Sequence, residues 1–291
     1  MMTLRSAPQF RFAIASAIIL LLGGGNAFAG LMYGLGALPS NNTRLFEVVN
    51  YSSPSPSINI IGSTGRVLGD LAISSSGTIY TVATVASGPT PIFTVNPNTA
   101  ALSGPIFTLG ASGMNSLAWM PGDILFTYGY QSGNVWRIDL VSNTASILTT
   151  LPANGADLAW DPTDGFLYAS TLNQRLYRID PNTGTFTLQG VLNLGGPYAS
   201  IAIDYTGQMY ATTALDNSAV LRYYSVNKSN ASTTLIADFT GLGLGSFGLG
   251  AASFPIPEPS SLMLVVLGSM WGLIVKRALR RKLSGAKDRA A

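Results

Sequence analysis

The segment Leu158-Ala159-Trp160-Asp161-Pro162-Thr163-Asp164-Gly165-Phe166-Leu167-Tyr168 sets two short apolar runs on either side of an Asp-Pro-Thr-Asp-Gly connection. The same design occurs three more times. Leu71-Ala72-Ile73 is followed by Gly77-Thr78-Ile79-Tyr80, Leu117-Ala118-Trp119 by Gly122 to Phe126 with one residue inserted, and Ile201-Ala202-Ile203 by Gly207-Gln208-Met209-Tyr210. A weaker fifth copy of the first run reads Phe247-Gly248-Leu249, and a fifth copy of the second, Gly30-Leu31-Met32-Tyr33, lies near the other end of the chain. The first runs are spaced 46, 41, 43 and 46 residues apart. A third run completes each unit: Leu45-Phe46-Glu47-Val48, Ile92-Phe93-Thr94-Val95, Val135-Trp136-Arg137-Ile138, Leu176-Tyr177-Arg178-Ile179 and Tyr223-Tyr224-Ser225-Val226. Turn sequences such as Asn96-Pro97-Asn98-Thr99 and Asp180-Pro181-Asn182-Thr183-Gly184 follow most of them.

Short β-branched and aromatic runs bounded by Gly, Pro, Asn and Asp are the pattern of antiparallel hairpins. Repeats of about 40 to 47 residues with this content fit four-stranded propeller blades. The C-terminal end of the repeat supplies a first strand without a second, and the N-terminal end a second without a first. Together they make one blade. The expected fold is all-β, a five-bladed β-propeller over residues 30–254 that averages 45 residues per blade. Closing the ring removes exposed sheet edges. An open β-solenoid or a sandwich is the alternative, but neither requires complementary half-units. Strings such as Leu158-Ala159-Trp160-Asp161-Pro162 are similar to propeller repeats of bacterial surface proteins, a likeness of fold that carries no activity.

Both ends of the chain read as targeting segments. Arg5 and Arg11 precede an apolar run from Phe12 to Leu22, and Ala27-Phe28-Ala29 supplies small residues before a cut that leaves Gly30 as the new N-terminus. Residues 1–29 are thus expected to be a signal peptide helix removed by signal peptidase. At the other end, Pro255, Pro257 and Pro259 hold residues 254 to 259 extended and unpaired. The 14 apolar residues Leu262 to Val275 then give roughly 21 Å of helix against a hydrocarbon core of ~30 Å. Snorkelling basic stems and an interfacial Trp271 make up part of that deficit. Lys276, Arg277, Arg280, Arg281 and Lys282 form a membrane stop and keep residues 276–291 cytoplasmic. The expected order is a Pro-rich linker at 255–261, a single transmembrane helix at 262–275 and a basic tail.

Pro257-Glu258-Pro259-Ser260-Ser261-Leu262, the apolar stretch and the basic cluster together resemble the PEP-CTERM sorting domain of Gram-negative bacteria. The resemblance covers about 30 of the 291 residues. Ile256 stands where valine is more usual, and Ser284 to Ala291 run on past the basic cluster. It implies processing by an exosortase, a membrane-embedded cysteine transpeptidase or protease of exopolysaccharide-producing cells. The chain would pass transiently through the inner membrane with its body in the periplasm, then reach the cell surface or extracellular matrix.

Charge and composition exclude much chemistry. The formal charge is +3, yet residues 30–254 hold only 7 basic residues against 11 acidic ones, so the body is mildly acidic. The basic pI arises in the targeting segments, which argues against a nucleic-acid partner. With no cysteine and no histidine, thiol nucleophiles, Ser-His-Asp triads and imidazole metal sites are absent. No catalytic residue, metal site or cofactor is therefore assigned.

Several groups nevertheless merit placement in three dimensions. Asp161 and Asp164 offer two carboxylates to calcium, though Asp-Pro and Asp-Gly are ordinary turn chemistry. Asp70, Asp157, Asp180 and Asp204 recur around the repeat, where a propeller can gather them on its axis or use them as turn caps. Gly243-Leu244-Gly245-Ser246-Phe247-Gly248 spells a dinucleotide fingerprint but lacks the following helix and reads better as a glycine-rich closing strand. Trp119, Trp136 and Trp160 suit blade packing before sugar stacking. The expected function is that of a noncatalytic surface or matrix protein linked to exopolysaccharide. The alternatives are a carbohydrate- or protein-binding propeller and a calcium-dependent, lactonase-like propeller enzyme.

Overall fold

The four-stranded blades follow directly from the repeat. A computed structural model describes residues 28–29, 31–37, 43–196, 198–214, 221–239, 242, 245–251 and 256–257. Among them stand five antiparallel sheets, each an up-and-down meander of four strands. Blade 1 joins Gly245–Ala251 to Met32–Ala37, Thr43–Val49 and Ser57–Ser63; blade 2 holds Leu68–Ile73, Ile79–Ala83, Thr90–Val95 and Leu102–Leu109. Blade 3 holds Ala118–Met120, Ile124–Tyr128, Asn134–Asp139 and Thr144–Thr150. Blade 4 is Gly155–Trp160, Leu167–Thr171, Arg175–Ile179 and Phe186–Val191, and blade 5 is Tyr198–Ile203, Met209–Ala214, Leu221–Val226 and Thr233–Asp238. The five-bladed all-β expectation holds, including the composite blade: Met32 pairs with Ala251 and Tyr33 with Gly250.

The core is divided among the gaps between blades. Alternate residues of each inner strand point into opposite gaps, as the twofold strand period requires. Leu71 and Ile73 pack with Leu35 and Leu45 of blade 1, whereas Ala72 packs with Leu117 and Trp119 of blade 3. Ile201 and Ile203 likewise face blade 4, and Ala202 faces blade 1. The large-small-large motif therefore presents two bulky side chains to the preceding blade and one methyl to the following one. Room beside that methyl is filled from the second strand. Tyr80 pairs with Ala72, Phe126 with Ala118, Tyr168 with Ala159, Tyr210 with Ala202 and Tyr33 with Gly250. Burial of each large side chain contributes about 1.5–3 kcal/mol.

This pairing corrects the fifth copy of the motif. Its residues are Leu249-Gly250-Ala251, two positions beyond the expected Phe247-Gly248-Leu249. A shift of two leaves every side chain on the same face, so alternation alone does not distinguish the registers. The closing gap also carries polar contacts. Tyr51 donates its hydroxyl to Asp204 at 3.3 Å, Tyr223 donates to the Tyr51 carbonyl at 3.2 Å, and Tyr210 stacks on Tyr223 at 5.4 Å.

The propeller forms one compact unit, Gly30–Ile256. A second unit comprises Met1–Ala29 and Pro257–Ala291, and the expected signal and transmembrane helices lie outside the described residues. Among the described residues no helix is long and apolar enough to cross a membrane. Phe28–Ala29 and Ile256–Pro257 form a separate two-stranded sheet. Residues 256 and 257 are thus extended, as expected, but paired in that sheet rather than unpaired.

Gly250 tests the packing rule. A methyl placed there would lie 2.7 Å from the Leu71 carbonyl oxygen of the next blade. Gly250→Ala is expected to cost about 1–3 kcal/mol in urea unfolding, although alanine occupies the same position in the other four blades.

Candidate functional site

Blades 2 and 4 place an aspartate where the inner strand bulges, a bulge that blade 1 also has between Ser246 and Gly248. Their inner strands carry a β-bulge immediately before the repeat motif, between Leu68 and Asp70 and between Gly155 and Asp157. A bulge turns the following side chain. Here the turned residues are Asp70 and Asp157, both 0% exposed. The corresponding positions in blades 3 and 5 are Ser116 and Ser200.

Each carboxylate reaches the next blade. Asp70 Oδ2 accepts the Leu117 N–H at 2.6 Å, and Asp157 Oδ2 accepts the Ile201 N–H at 2.7 Å. Asp157 Oδ1 accepts its neighbour Leu158 N–H at 2.7 Å, and Ser200 also bonds this carboxylate. Asn115 lies between the two strands. Its Nδ2 donates to the carbonyls of Gly155 and Ala156 at 3.4 and 3.3 Å, and its backbone abuts Gly69 so closely that a methyl on Gly69 would meet the Asn115 carbonyl at 2.6 Å. Asn115 Oδ1 is buried without a hydrogen-bond partner. Below this layer the inner strands enclose a cavity of about 20 Å³ lined by the repeat motif.

The two side chains hydrogen-bond one another, and both acids are raised chiefly by burial. Burial, then the negative charge of Asp157, pushes Asp70 well above the ordinary carboxylate range; burial pushes Asp157 up to about 7, against the lowering effect of its hydrogen bonds. Asp70 and Asp157 were among the residues expected to converge on the axis or serve as caps, and they converge. Asp180 and Asp204 are caps. Asp180 Oδ1 accepts the N–H groups of Asn182 and Thr183, and Asp204 Oδ1 those of Thr206 and Gln208.

The remaining candidates resolve into packing and turns. Asp161 Oδ1 accepts the Thr163 N–H and hydroxyl while Oδ2 pairs with Lys228, and Asp164 Oδ2 takes the Tyr168 hydroxyl and faces Arg178. Protein donors occupy the oxygens that a calcium ion would need there. Among the described residues no group of three or more His, Cys, Asp or Glu is gathered for a metal ion. The glycine fingerprint ends in the inner strand Gly245–Ala251, as a closing strand should. Trp119 is buried, and Trp136 and Trp160 pack against the cores between blades. Of the processing residues, Ala29 and Pro257 lie in the small two-stranded sheet. Ala27, Gly30, Glu258, Pro259 and the basic residues from Lys276 to Lys282 lie outside the described residues. Asn115 escaped the sequence reading because nothing in its repeat position marks it.

A five-bladed propeller with a buried acidic axis is the class that fold and site define. Residues 71–242, more than half of the chain, match the model of a family described as a repeat of unknown function, DUF6923, and the chain belongs to that family. No curated protein matches it in sequence. Among solved structures it is similar to a chain of a nidogen/laminin complex, with a TM-score of 0.53 at 10% identity over 77% of this chain and 99% of that one. It is also similar to a structural genomics protein of unknown function from Bacteroides thetaiotaomicron, with a TM-score of 0.52 at 15% identity over 77% of this chain and 65% of that one. These likenesses are of fold.

The acid pair makes stability depend on pH. Both folded pKa values lie above the unfolded value near 4, so the native state binds more protons; stability is full below pH ~4 and falls as pH rises through about 7. Asp70→Asn mimics the protonated acid and keeps an acceptor for Leu117. In metal-free buffer it is expected to raise the melting temperature at pH 8 and flatten its slope between pH 5 and 8, as read by circular dichroism.

Proposed function

We propose that the chain is an exported surface or extracellular-matrix protein, sorted through its PEP-CTERM-like tail and processed by an exosortase, with a noncatalytic structural role. Its propeller would be displayed outside the membrane after signal peptidase removes residues 1–29, and residues 262–275 would hold it briefly in the inner membrane. Export and sorting rest on the two terminal segments read above.

The structural role is supported by the outer rim of the propeller. The outermost strands of the five blades carry a single charged residue, Asp238, and expose Ile60, Ile106, Ile147, Leu188 and Leu235. Soluble proteins usually blunt such edges with lysine or proline, because unpaired N–H and C=O groups recruit other chains or polymers. A rim with so little charge suits a protein embedded in a polymeric matrix with exopolysaccharide as its neighbour. The turn carboxylates, by contrast, are engaged by protein donors, which gives the enzyme reading no support from the loops.

Intact mass spectrometry of the protein from cells with and without the exosortase tests the assignment. The mature form is expected to end near Pro257-Glu258-Pro259 in the first strain and to retain the basic tail in the second. An identical C-terminus in both would overturn it.

A further inference from the structure

We propose that an arc of arginines on one face of the propeller binds an acidic polysaccharide, a chain of sugars that carry carboxylates. This ligand deepens the matrix role proposed above and depends on it. The up-and-down meander sets two faces. Turns from first to second strand and from third to fourth lie on one face, where Met32–Ala37 begins and Gly245–Ala251 ends. Loops from second to third strand, and from each blade to the next, lie on the other.

Charge divides between these faces. Asp123, Asp139, Asp161, Asp164, Asp180 and Asp204 belong to the first, where Arg137, Arg178 and Lys228 pair with Asp139, Asp164 and Asp161. Arg44, Arg66, Arg175 and Arg222 belong to the second. Among its described residues the one exposed acid is Asp238, which Arg222 approaches at 3.3 Å. Asp70 and Asp157 are closed off beneath this face and bonded to each other. Arg44, Arg66 and Arg175 form no salt bridge with any described residue.

The repeat puts three of these arginines on one arc. Arg44, Arg175 and Arg222 stand three residues before Glu47, Arg178 and Ser225, which pair with the equivalent tyrosines Tyr33, Tyr168 and Tyr210. They therefore share one radius and height on blades 1, 4 and 5, which pack consecutively around the ring. Pro91 and Asn134 hold that position in blades 2 and 3. Arg66 prolongs the arc beside Arg44, since the Thr43 N–H donates to its carbonyl at 3.0 Å; its guanidinium lies 5.1 Å over the Phe93 ring.

Chemistry and spread select the ligand. A guanidinium fork matches a carboxylate, and arginines distributed over three blades exceed the reach of one small anion, so the ligand is a chain. Duplex nucleic acid carries a charge every ~1.7 Å and calls for a denser run of cations than this acidic body offers. Asn173, exposed just before Arg175, accepts the Thr171 hydroxyl through Oδ1 and keeps its amide N–H groups for sugar hydroxyls. A second copy docking its acidic face is the competing occupant, but Asp161, Asp180 and Asp204 already accept protein donors.

Calorimetric titration of the full chain, purified in detergent, with sodium polygalacturonate at about 20 mM salt tests the arc. Binding is expected to disappear near 500 mM salt, at roughly one third of the screening length, and neutral dextran should not bind. Arg44→Gln combined with Arg175→Gln should weaken binding at least about tenfold with the melting temperature unchanged, whereas Arg137→Gln on the opposite face should bind like the wild type. Should Arg44→Gln unfold the chain, Arg66→Gln with Arg175→Gln carries the comparison. No binding by the wild type, equal binding of dextran, or full binding by the double variant would overturn the proposal. So would tighter binding of duplex DNA, or self-association without polymer that the double variant loses, which assign the arc to nucleic acid or to a second copy. The titration needs no exosortase, so its failure is distinct from a failure of the sorting assignment, which the C-terminal mass reads.

Discussion

Crowding at the axis governs this molecule. Five inner strands converge where the ring is narrowest, and each must pack against its neighbour with little lateral space. The chain solves the problem with one small residue per inner strand, Ala72, Ala118, Ala159, Ala202 or Gly250, and a large ring directly opposite on the second strand. The small residue lets the strands approach, and the ring refills the gap further from the axis where the blades diverge. Five separate wedges of apolar side chains result, each shared by two blades. Where the approach is tightest, at the closing strand, even a methyl is too large and glycine takes the place.

The same convergence makes the acid pair. Carboxylates on an outer strand would face water, but bulges on the two inner strands of blades 2 and 4 turn Asp70 and Asp157 into a closed layer. Each then caps a backbone N–H of the following blade, which fastens neighbouring blades at the cost of burying charge. That cost explains why both ionisations are displaced upward. The acids of the turns show the contrast. Asp180 lies among backbone donors at the surface, and those donors lower its pKa.

The first three strands of each blade were legible because their side chains face the gaps and must repeat: Leu158-Ala159-Trp160, Leu167-Tyr168 and Leu176-Tyr177 each supply a wedge. The fourth strands, such as Thr144–Thr150 and Thr233–Asp238, carry no shared motif, since they are largely exposed and little constrains them. Register at closure was misjudged by two residues because alternation preserves faces under that shift. Asp70 and Asp157 were visible as candidates, but the bulges that aim them were not, because a bulge adds no characteristic residue. Asn115 was invisible altogether.

The amino-acid sequence by itself determined the blade number, the meander and the composite blade, for these depend on period and on local turn chemistry. The proposal that both ends are targeting segments likewise rests on the sequence, since apolar length and charge order are linear properties. Only the tertiary structure decided which carboxylates meet. Asp70 and Asp157 are 87 residues apart, and nothing local relates them. Closure of the ring brings them to one axis, where burial converts two ordinary aspartates into a pair that must be neutralised together.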